Sequence, residues 1–582
     1  MLRNYLKIAV RHLRKNFAYS FINIAGLAAG MASCLLISLY VLHELSYDKF
    51  HQKADRIFRV TYTRNQNGMH YHEAAIPFPA AVALAQDFPE INHAVRLYKN
   101  VEFPLLTVGD RKFTEERFLF ADPAIFEVFD FPLVKGDPKT ALREPNSVVI
   151  TEEVARKYFG EADPIGQILQ YENKHSLTVT AVARNVPSNS HFKFDFLAPL
   201  EFQFATWERR TDIDAPHKKW YWTGAWTYLL LSDRHAATSM STKLPDFVKK
   251  YYPDRTKSGV ELALQPMTEI HLHSRLENEI EPNSHALYVY IFTAIAALIL
   301  LIAVINFVNL TTARSTQRAK EVGVRKVVGA NRKQLFGQLM GEAMIASALA
   351  MALALVIVKI SLPSFNQLTA RELDTGFLES WTGLTSIIGL VFVVGLLSGL
   401  YPAFFLAGFQ PTGILQKNVS PRSGNERLRQ ALVVAQFAIS TVLIIGVGII
   451  SQQMHFLRAK ELGFERSQVL IVKARPEMNN RFAAFRDELR RNPGVLGAAG
   501  VSNYPGEGVS AYRFVPEGGS TDQPAMLPLL FTGYDFLETM GIGIKQGRGF
   551  SRNSPSDQTE AFLLNEKAAA DLGWQDNAIG KK

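Results

Sequence analysis

The chain is poor in the groups that usually declare a chemistry. It has one cysteine, Cys34, in 582 residues. An intramolecular disulfide and a cysteine-based zinc site are therefore excluded. The lack of disulfides does not fix the compartment, since exported bacterial domains often do without them. There is no phosphate loop of the form G-x-x-x-x-G-K-[ST]. The sole Gly-Lys pair, Gly580-Lys581, has Gln575 where the first glycine belongs and Lys582 in place of the hydroxyl. No G-x-S-x-G or H-E-x-x-H pattern is present. Glu152-Glu153 reads as a solvated helix start. We expect no catalytic residues and no cofactor, and do not read the chain as an enzyme. Charged residues are also scarce, at 20%, below the globular norm of about 25%.

What is present is segregated. Mean hydropathy is near zero, yet long charge-free apolar runs alternate with stretches of ordinary globular composition. A bilayer crossing takes about 20 apolar residues, and five runs are long enough. They are Phe17–Leu42, Ala286–Ala313, Leu335–Val358 (interrupted by Glu342), Trp381 to Gln416, and Ala431–Met454. The first is too long for a cleaved signal peptide, whose apolar core has about 7–15 residues. The net charge of +9 sits beside these runs, so a membrane accounts for it better than nucleic acid.

Loop charge sets the orientation. Arg3, Lys7, Arg11, Arg14 and Lys15 precede the first run. Seven basic residues against Glu321 alone separate the second run from the third, and Lys417, Arg422, Arg427 and Arg429 against Glu426 separate the fourth from the fifth. The remaining loop has Arg371 facing Glu372, Asp374 and Glu379. All alternate consistently with a cytosolic N-terminus.

We therefore expect an α-helical transmembrane bundle with mixed α/β extracytoplasmic domains. A basic cytosolic N-terminus (1–16) leads into spans at 17–42, 286–313, 335–360, 381–410 and 431–454. Between them lie an external core domain (43–285), a cytosolic segment (314–334), a short external loop (361–380) and a cytosolic linker (411–430), with a second external domain at 455–582. In the first domain, strand-like runs (RIFRVTY, SVVI, LTVTAVA, TYLLLS) alternate with helical ones (FPAAVALAQDF, EEVARKYFG), the pattern of a mixed α/β fold.

An internal repeat links the two external segments. Ile57–Val60 is echoed by Val469–Val472, and the helix before Pro89 by the one before Pro493. FEVFDFPLVKGD (126–137) parallels LETMGIGIKQGR (537–548). TEEVARKYFGEADPIGQ (151–167) parallels NEKAAADLGWQDNAIGK (565–581). The second copy reaches Lys582 at the point matching about Ile168. We read the sequence as incomplete at its C-terminus or as a truncated product; the plainer alternative is a five-span protein.

Several residues invite a function. Gly26 and Gly30 form a small-xxx-small face for close helix approach, though glycine is also simply common in membrane helices. Glu342 is an ionisable group in an apolar run. We favour an interfacial position about two turns above Arg332 and Lys333, where it can pair or reach headgroups. His271 and His273 sit two apart on an expected strand, but lack a third metal ligand. The segment Ala313–Met344 is basic, with Val322, Val324, Val327 and Val328 among the charges and Gly323 and Gly329-Ala330 as punctuation. It suits either a short amphipathic helix docked on a membrane or partner or a plain basic loop.

At this segment the chain resembles a known family. AKEVGVRKVVGA (319–330) with Glu342 beyond it resembles the signature of MacB/FtsX-type ABC transporter permeases. LKIAVRHLRKNFAYSFINIAGLAAGMA and TEEVARKYFGEADPIGQ are similar to its first span and its periplasmic core domain. The resemblance is to the large permeases with two such units. It implies the inner membrane of a bacterial cell and a separate cytosolic ABC ATPase seated on a coupling helix at about 315–330. Glu321, Gly323, Arg325, Lys326, Gly329 and Ala330 are the matching positions. It further implies a dimer or pseudo-dimer with a periplasmic or outer-membrane partner. ATP-driven movement then reaches the periplasmic domain, for export or extraction of a substrate. Regulation of an external partner such as a cell-wall hydrolase, without transport, is the alternative. A membrane-anchored sensor is a third class.

Overall fold

In the computed structural model, the described residues run from Phe17 to Lys582. Left out are 67–68, 101–102, 210–214, 254–258, 314–323, 408–422, 476–477, 479–480, 505, 507–508, 510, 520–524 and 576. The chain divides into two compact units, 1–446 and 447–582.

Among the described residues, five helices are long and apolar enough to cross a membrane. They span Phe17–Leu45, Ala286–Ala313, Arg332–Thr369, Trp381–Ala407 and Ser423–Ala459. We call them the first to fifth spans. Several overrun the apolar runs that mark them. The third begins at Arg332 under an Asn331/Gln334 capping box and ends with Ala370 in the left-handed region. Much of the expected loop at 361–380 is therefore helix. Nothing in ISLPSFNQLT stops the helix, and its one proline, Pro363, does not end it. The first, second, third and fourth spans share a core containing Leu27, Met31, Val304, Phe307, Ala350 and Val394.

Between the first and second spans lies an α/β domain built on one mixed sheet. Its strands are β1 (Ile57–Gln66), β2 (Met69–Glu73), β3 (Ile76–Pro77), β4 (Ile91–Lys99), β5 (Leu105–Val108), β6 (Arg111–Thr114) and β7 (Phe118–Ala121). They continue as β8 (Leu133–Lys135), β9 (Ser147–Thr151), β10 (Ile168–Tyr171), β11 (His175–Ala183), β12 (Phe196–Pro199), β13 (Thr223–Leu231) and β14 (Val260–Pro266). The main order is β14-β1-β13-β4-β7-β12-β9-β11-β10-β5-β6. Most pairs are antiparallel, while β9 with β11 and β7 with β12 run parallel. The central strands β7, β9 and β12 are buried at every position, because successive side chains point to opposite faces and both faces are covered. Phe129, Phe192 and Tyr228 belong to one cluster, and Phe118, Phe120 and Phe196 to another. A third, containing Leu229, Met240 and Phe247, seats the helix Ala236–Tyr251.

The second unit carries the repeat in its local structure. The helix Phe482–Leu489 answers Phe78–Asp87, and Phe536–Thr539 answers Ile125–Val128. Glu566–Asp571 answers Glu152–Phe159. Both of these are N-capped by a polar side chain, Asn565 accepting from Ala568 N–H and Thr151 from Val154 N–H. Left-handed glycines recur at matching places, Gly136 with Gly547 and Gly166 with Gly580. One bridge, Val501 to Thr532, repeats the β4–β7 pair Leu97 to Ala121. The echo of β1 at 469–472 is not a strand, and Leu470 is exposed. In the first domain β1 is held by β13 and β14; among the described residues of the second unit no strand pairs with 469–472.

Candidate functional site

Two places in the first unit gather the polar chemistry, one at each end of the bundle. The first is the corner where the chain enters the third span. Glu321 and Gly323 lie outside the described residues. Residues 324–327 are helical. The turn closes with Val328 N–H donating to Val324 O, Gly329 N–H to Lys326 O and Ala330 N–H to Arg325 O. Gly329 has φ +101°, a left-handed conformation that favours glycine. Asn331 then starts the third span, its N–H donating to Gln334 Oε1 at 3.1 Å. This is the reciprocal N-cap of a capping box, a signal carried by N-x-x-Q at 331–334.

A polar chain fixes this corner to the span. Arg325 Nη1 donates to Gln338 Oε1 at 2.7 Å, and Gln338 Nε2 donates to Glu342 Oε1 at 3.1 Å. Glu342 is thus engaged one turn beyond Gln338, on the span's own surface. Leu335 is buried against Ala330 and Phe336, and Phe336 packs edge-on to Phe404 of the fourth span at 5.0 Å. Val324, Val327 and Val328 are left outside, 65%, 67% and 83% exposed. Three valines this open on one short turn form an apolar contact surface with little cover among the described residues.

The second place lies where the bundle meets the α/β domain. Glu44, at the end of the first span, has a fully buried side chain. His271 Nε2 lies 2.9 Å from Glu44 Oε2, and Arg371 Nε is ion-paired with Oε1 at 2.9 Å. The Tyr47 ring stacks flat on His271, centroids 3.3 Å apart. Burial pushes the Tyr47 phenol up to about 12, so it is neutral in the physiological range. Asp48 continues the contact, pairing with His191 Nδ1 at 2.8 Å, and His191 Nε2 meets the Tyr228 hydroxyl at 2.7 Å.

The segment from β14 to the second span is also pinned to the sheet. Arg59, fully buried in β1, pairs with Glu279 and donates to Gln265 Oε1 at 2.7 Å and Ser274 Oγ at 3.0 Å. Ala74 N–H donates to Glu277 O, and Glu277 N–H to His72 O.

The expected strand at EIHLHS is corrected here. Ile270–His273 is a single helical turn, which rotates residues two apart by about 200°. His271 is buried and engaged by Glu44, whereas His273 is exposed. Among the described residues no group of three or more His, Cys, Asp or Glu side chains could hold a metal. Gly26 and Gly30 both face the second span. A Cβ on Gly30 would lie 2.5 Å from Ala303 Cβ, and one on Gly26 would lie 3.4 Å from Asn306 Nδ2. The Glu44–His271–Arg371 cluster went unseen in the sequence because its members are separated by more than 200 and then 100 residues. The signal available was Glu44 itself, an acid directly abutting an apolar run.

The fold and these two sites define a multi-pass membrane protein with an α/β domain mounted on a helical bundle. Residues 20–244 match the MacB-like periplasmic core domain, and residues 293–411 match the FtsX-like permease C-terminal domain. The chain is a permease of the MacB/FtsX type. It is 26% identical over 127 residues to the macrolide export ATP-binding/permease protein MacB of Bdellovibrio bacteriovorus, covering 22% of this chain and 19% of that protein. The chain thus aligns with about a fifth of that relative's length. Similar solved structures include the periplasmic region of MacB from Actinobacillus actinomycetemcomitans, with 16% identity, 35% of this chain and 87% of that one covered, and TM-score 0.26. The extracellular domain of the ABC-type transporter YknZ from Gram-positive bacteria has 11% identity, 35% and 98% coverage, and TM-score 0.26.

Proposed function

We propose that the chain is the membrane subunit of an ABC transporter, driven by an ATPase on a separate cytosolic chain. The N-terminus is cytosolic and the α/β domain periplasmic. The ATPase seats on the segment 315–330, with Arg325, Lys326, Gly329 and Ala330 at or beside the contact. The observation that carries this reading is the corner before the third span. It is a short helix with three exposed valines, folded back and tied to a span by Arg325, Gln338 and Glu342. An apolar turn flanked by cations is a docking surface for a helix-in-groove partner. Closure of the ATPase moves the spans as levers between two states.

The work is done on the periplasmic side, as export of a peptide, lipid or drug-like molecule or as extraction of a lipoprotein. Macrolide export by the similar MacB protein supports an export reading. Actuation of an external partner shares the same corner. It differs in what raises ATP turnover, a substrate for transport or a hydrolase for actuation.

Reversal of charge at Arg325 and Lys326 should cut ATPase co-purification by about tenfold while leaving membrane insertion intact. Unchanged co-purification removes the docking role. Protease added to intact spheroplasts should cut within 43–285; protection there reverses the topology.

A further inference from the structure

We propose that Arg371 and Glu44 form the output joint of the third span, the point at which its movement is handed to the periplasmic domain. This rests on the reading that the 324–330 corner receives an ATPase. The third span begins at Arg332, directly after that corner, and runs as one helix to Thr369. Its 38 residues make a rod of about 57 Å at 1.5 Å per residue. Arg371 follows two residues beyond the rod's end. The turn between them is stiff: Asn366 Nδ2 donates to Leu373 O at 2.8 Å, Leu373 N–H donates back to Asn366 Oδ1 at 3.3 Å, and Arg371 N–H donates to Asn366 O. A displacement of the rod is therefore a displacement of the guanidinium.

That guanidinium ends on Glu44, which belongs to a different span and also meets His271 at the foot of the strap leading to the second span. One buried carboxylate thus collects three elements: the exit of the first span, the entry to the second and the loop after the third. The two chain connections from there into the domain are clamped. Asp48 N–H donates to Asn189 O and Asp48 Oδ1 accepts from His191 N–H, while the strap is held on β1 through Glu279 and Arg59. The third span has no covalent link to the domain of its own, so Arg371 is its polar handle on it, joined by the weaker contact of Ser188 Oγ with Glu372 O at 3.5 Å. Arg371 and Glu44 are positioning residues; neither touches substrate or nucleotide.

The test uses the full chain in nanodiscs with its ATPase subunit, nucleotide-free and trapped with ADP and vanadate, read by hydrogen exchange. In the unmodified protein, trapping should alter exchange by about tenfold at 324–342 and also at 188–191 and 270–285. In Arg371→Met and in Glu44→Gln the change at 324–342 and ATPase co-purification should remain, and the change at 188–191 and 270–285 should vanish. Arg371→Lys should restore part of it, which loss of fold would not allow. Changes of unmodified size at 270–285 in both Arg371→Met and Glu44→Gln overturn the joint. Absence of any trapping effect at 324–342 in the unmodified protein defeats the docking reading instead. The joint is then judged without nucleotide: Glu44→Gln should raise exchange at 271–273 and 371–373 together by about tenfold, and a rise confined to one of them overturns it.

Discussion

The two ends of the bundle use polar residues in opposite ways. At the domain end, Glu44, Arg59, Asp48 and His191 are buried and each is matched to partners from distant parts of the chain. At the corner before the third span, Arg325 and Gln338 are only half-buried and bond to each other within the same corner, and the neighbouring side chains are exposed valines. A buried charge is costly to orphan, so the first end holds the molecule in one arrangement. An exposed apolar turn costs the folded chain little to change, so the second end is free to serve a partner. Buried charge pairs and open apolar surface are thereby placed at opposite ends of the same helices, the division that the docking proposal requires.

The sharpest way to break this contrast is to orphan a charge at the domain end. Glu279→Ala leaves the Arg59 guanidinium, fully buried in β1, without its carboxylate. Removal of one partner of a buried pair costs about 3–5 kcal/mol, and thermal unfolding in detergent should fall accordingly. The paired replacement Arg59→Met with Glu279→Leu should recover much of the loss, because no charge is left behind. A stability equal to that of the unmodified chain after Glu279→Ala would show that this end is not held by its ion pairs.

Next in size is an acid dependence at the same end. His51 is buried among Phe50, Phe129 and Phe131, and its Nδ1 accepts the Asp130 N–H at 2.9 Å. Burial pushes its pKa down to about 4, against the opposing pull of Asp48 and Asp130. The unfolded chain, with an ordinary imidazole near 6.5, therefore takes up the proton first. The stabilisation is complete above about pH 6.5, declines as pH falls through the window from 6.5 to 4, and amounts to about 3 kcal/mol in all. His51→Asn, which keeps an acceptor for Asp130, should flatten unfolding temperature across that window. A curve of unchanged slope would mean that His51 is not the group responsible.

How much of this was legible follows from the distance over which each feature is encoded. The spans were legible because a bilayer demands a contiguous apolar run. Helices of the second copy were legible for a similar reason. Thr151 and Asn565 cap within three residues, and Gly136 and Gly547 both take a positive φ that favours glycine. Strands need partners, and among the described residues none pairs with 469–472, so the echo of β1 has the pattern without the structure. The histidines of EIHLHS were misplaced because period alone does not separate a short strand from a helical turn. Glu44 with His271 and Arg371 was beyond reach, as no local pattern links 44, 271 and 371.

A smaller effect probes the packing between the ends. Gly30 and Gly26 lie one turn apart on the first span, yet an added Cβ meets Ala303 Cβ at 2.5 Å at the former and Asn306 Nδ2 at 3.4 Å at the latter. Gly30→Ala should cost about 1–3 kcal/mol through overpacking, and Gly26→Ala only about 0.5 kcal/mol or less. Equal losses would mean that the two helices are not in contact at this register.

The smallest expected change in stability is the one that separates holding from docking most cleanly. Val324, Val327 and Val328 touch little of their own chain, so replacing all three by Ser should leave unfolding temperature nearly unmoved, within about 0.5 kcal/mol. The same change strips several methyl groups from the surface proposed to meet the ATPase, at about 0.8 kcal/mol per buried carbon. Association should fall by about tenfold or more, measured by co-purification at fixed salt. The two readouts must diverge for the contrast to stand. If the serine variant unfolds several degrees earlier, the valines are part of the chain's own core. If it stays folded and binds the ATPase as before, the charges at Arg325 and Lys326 are left as the contact, and raising the salt should then release the partner.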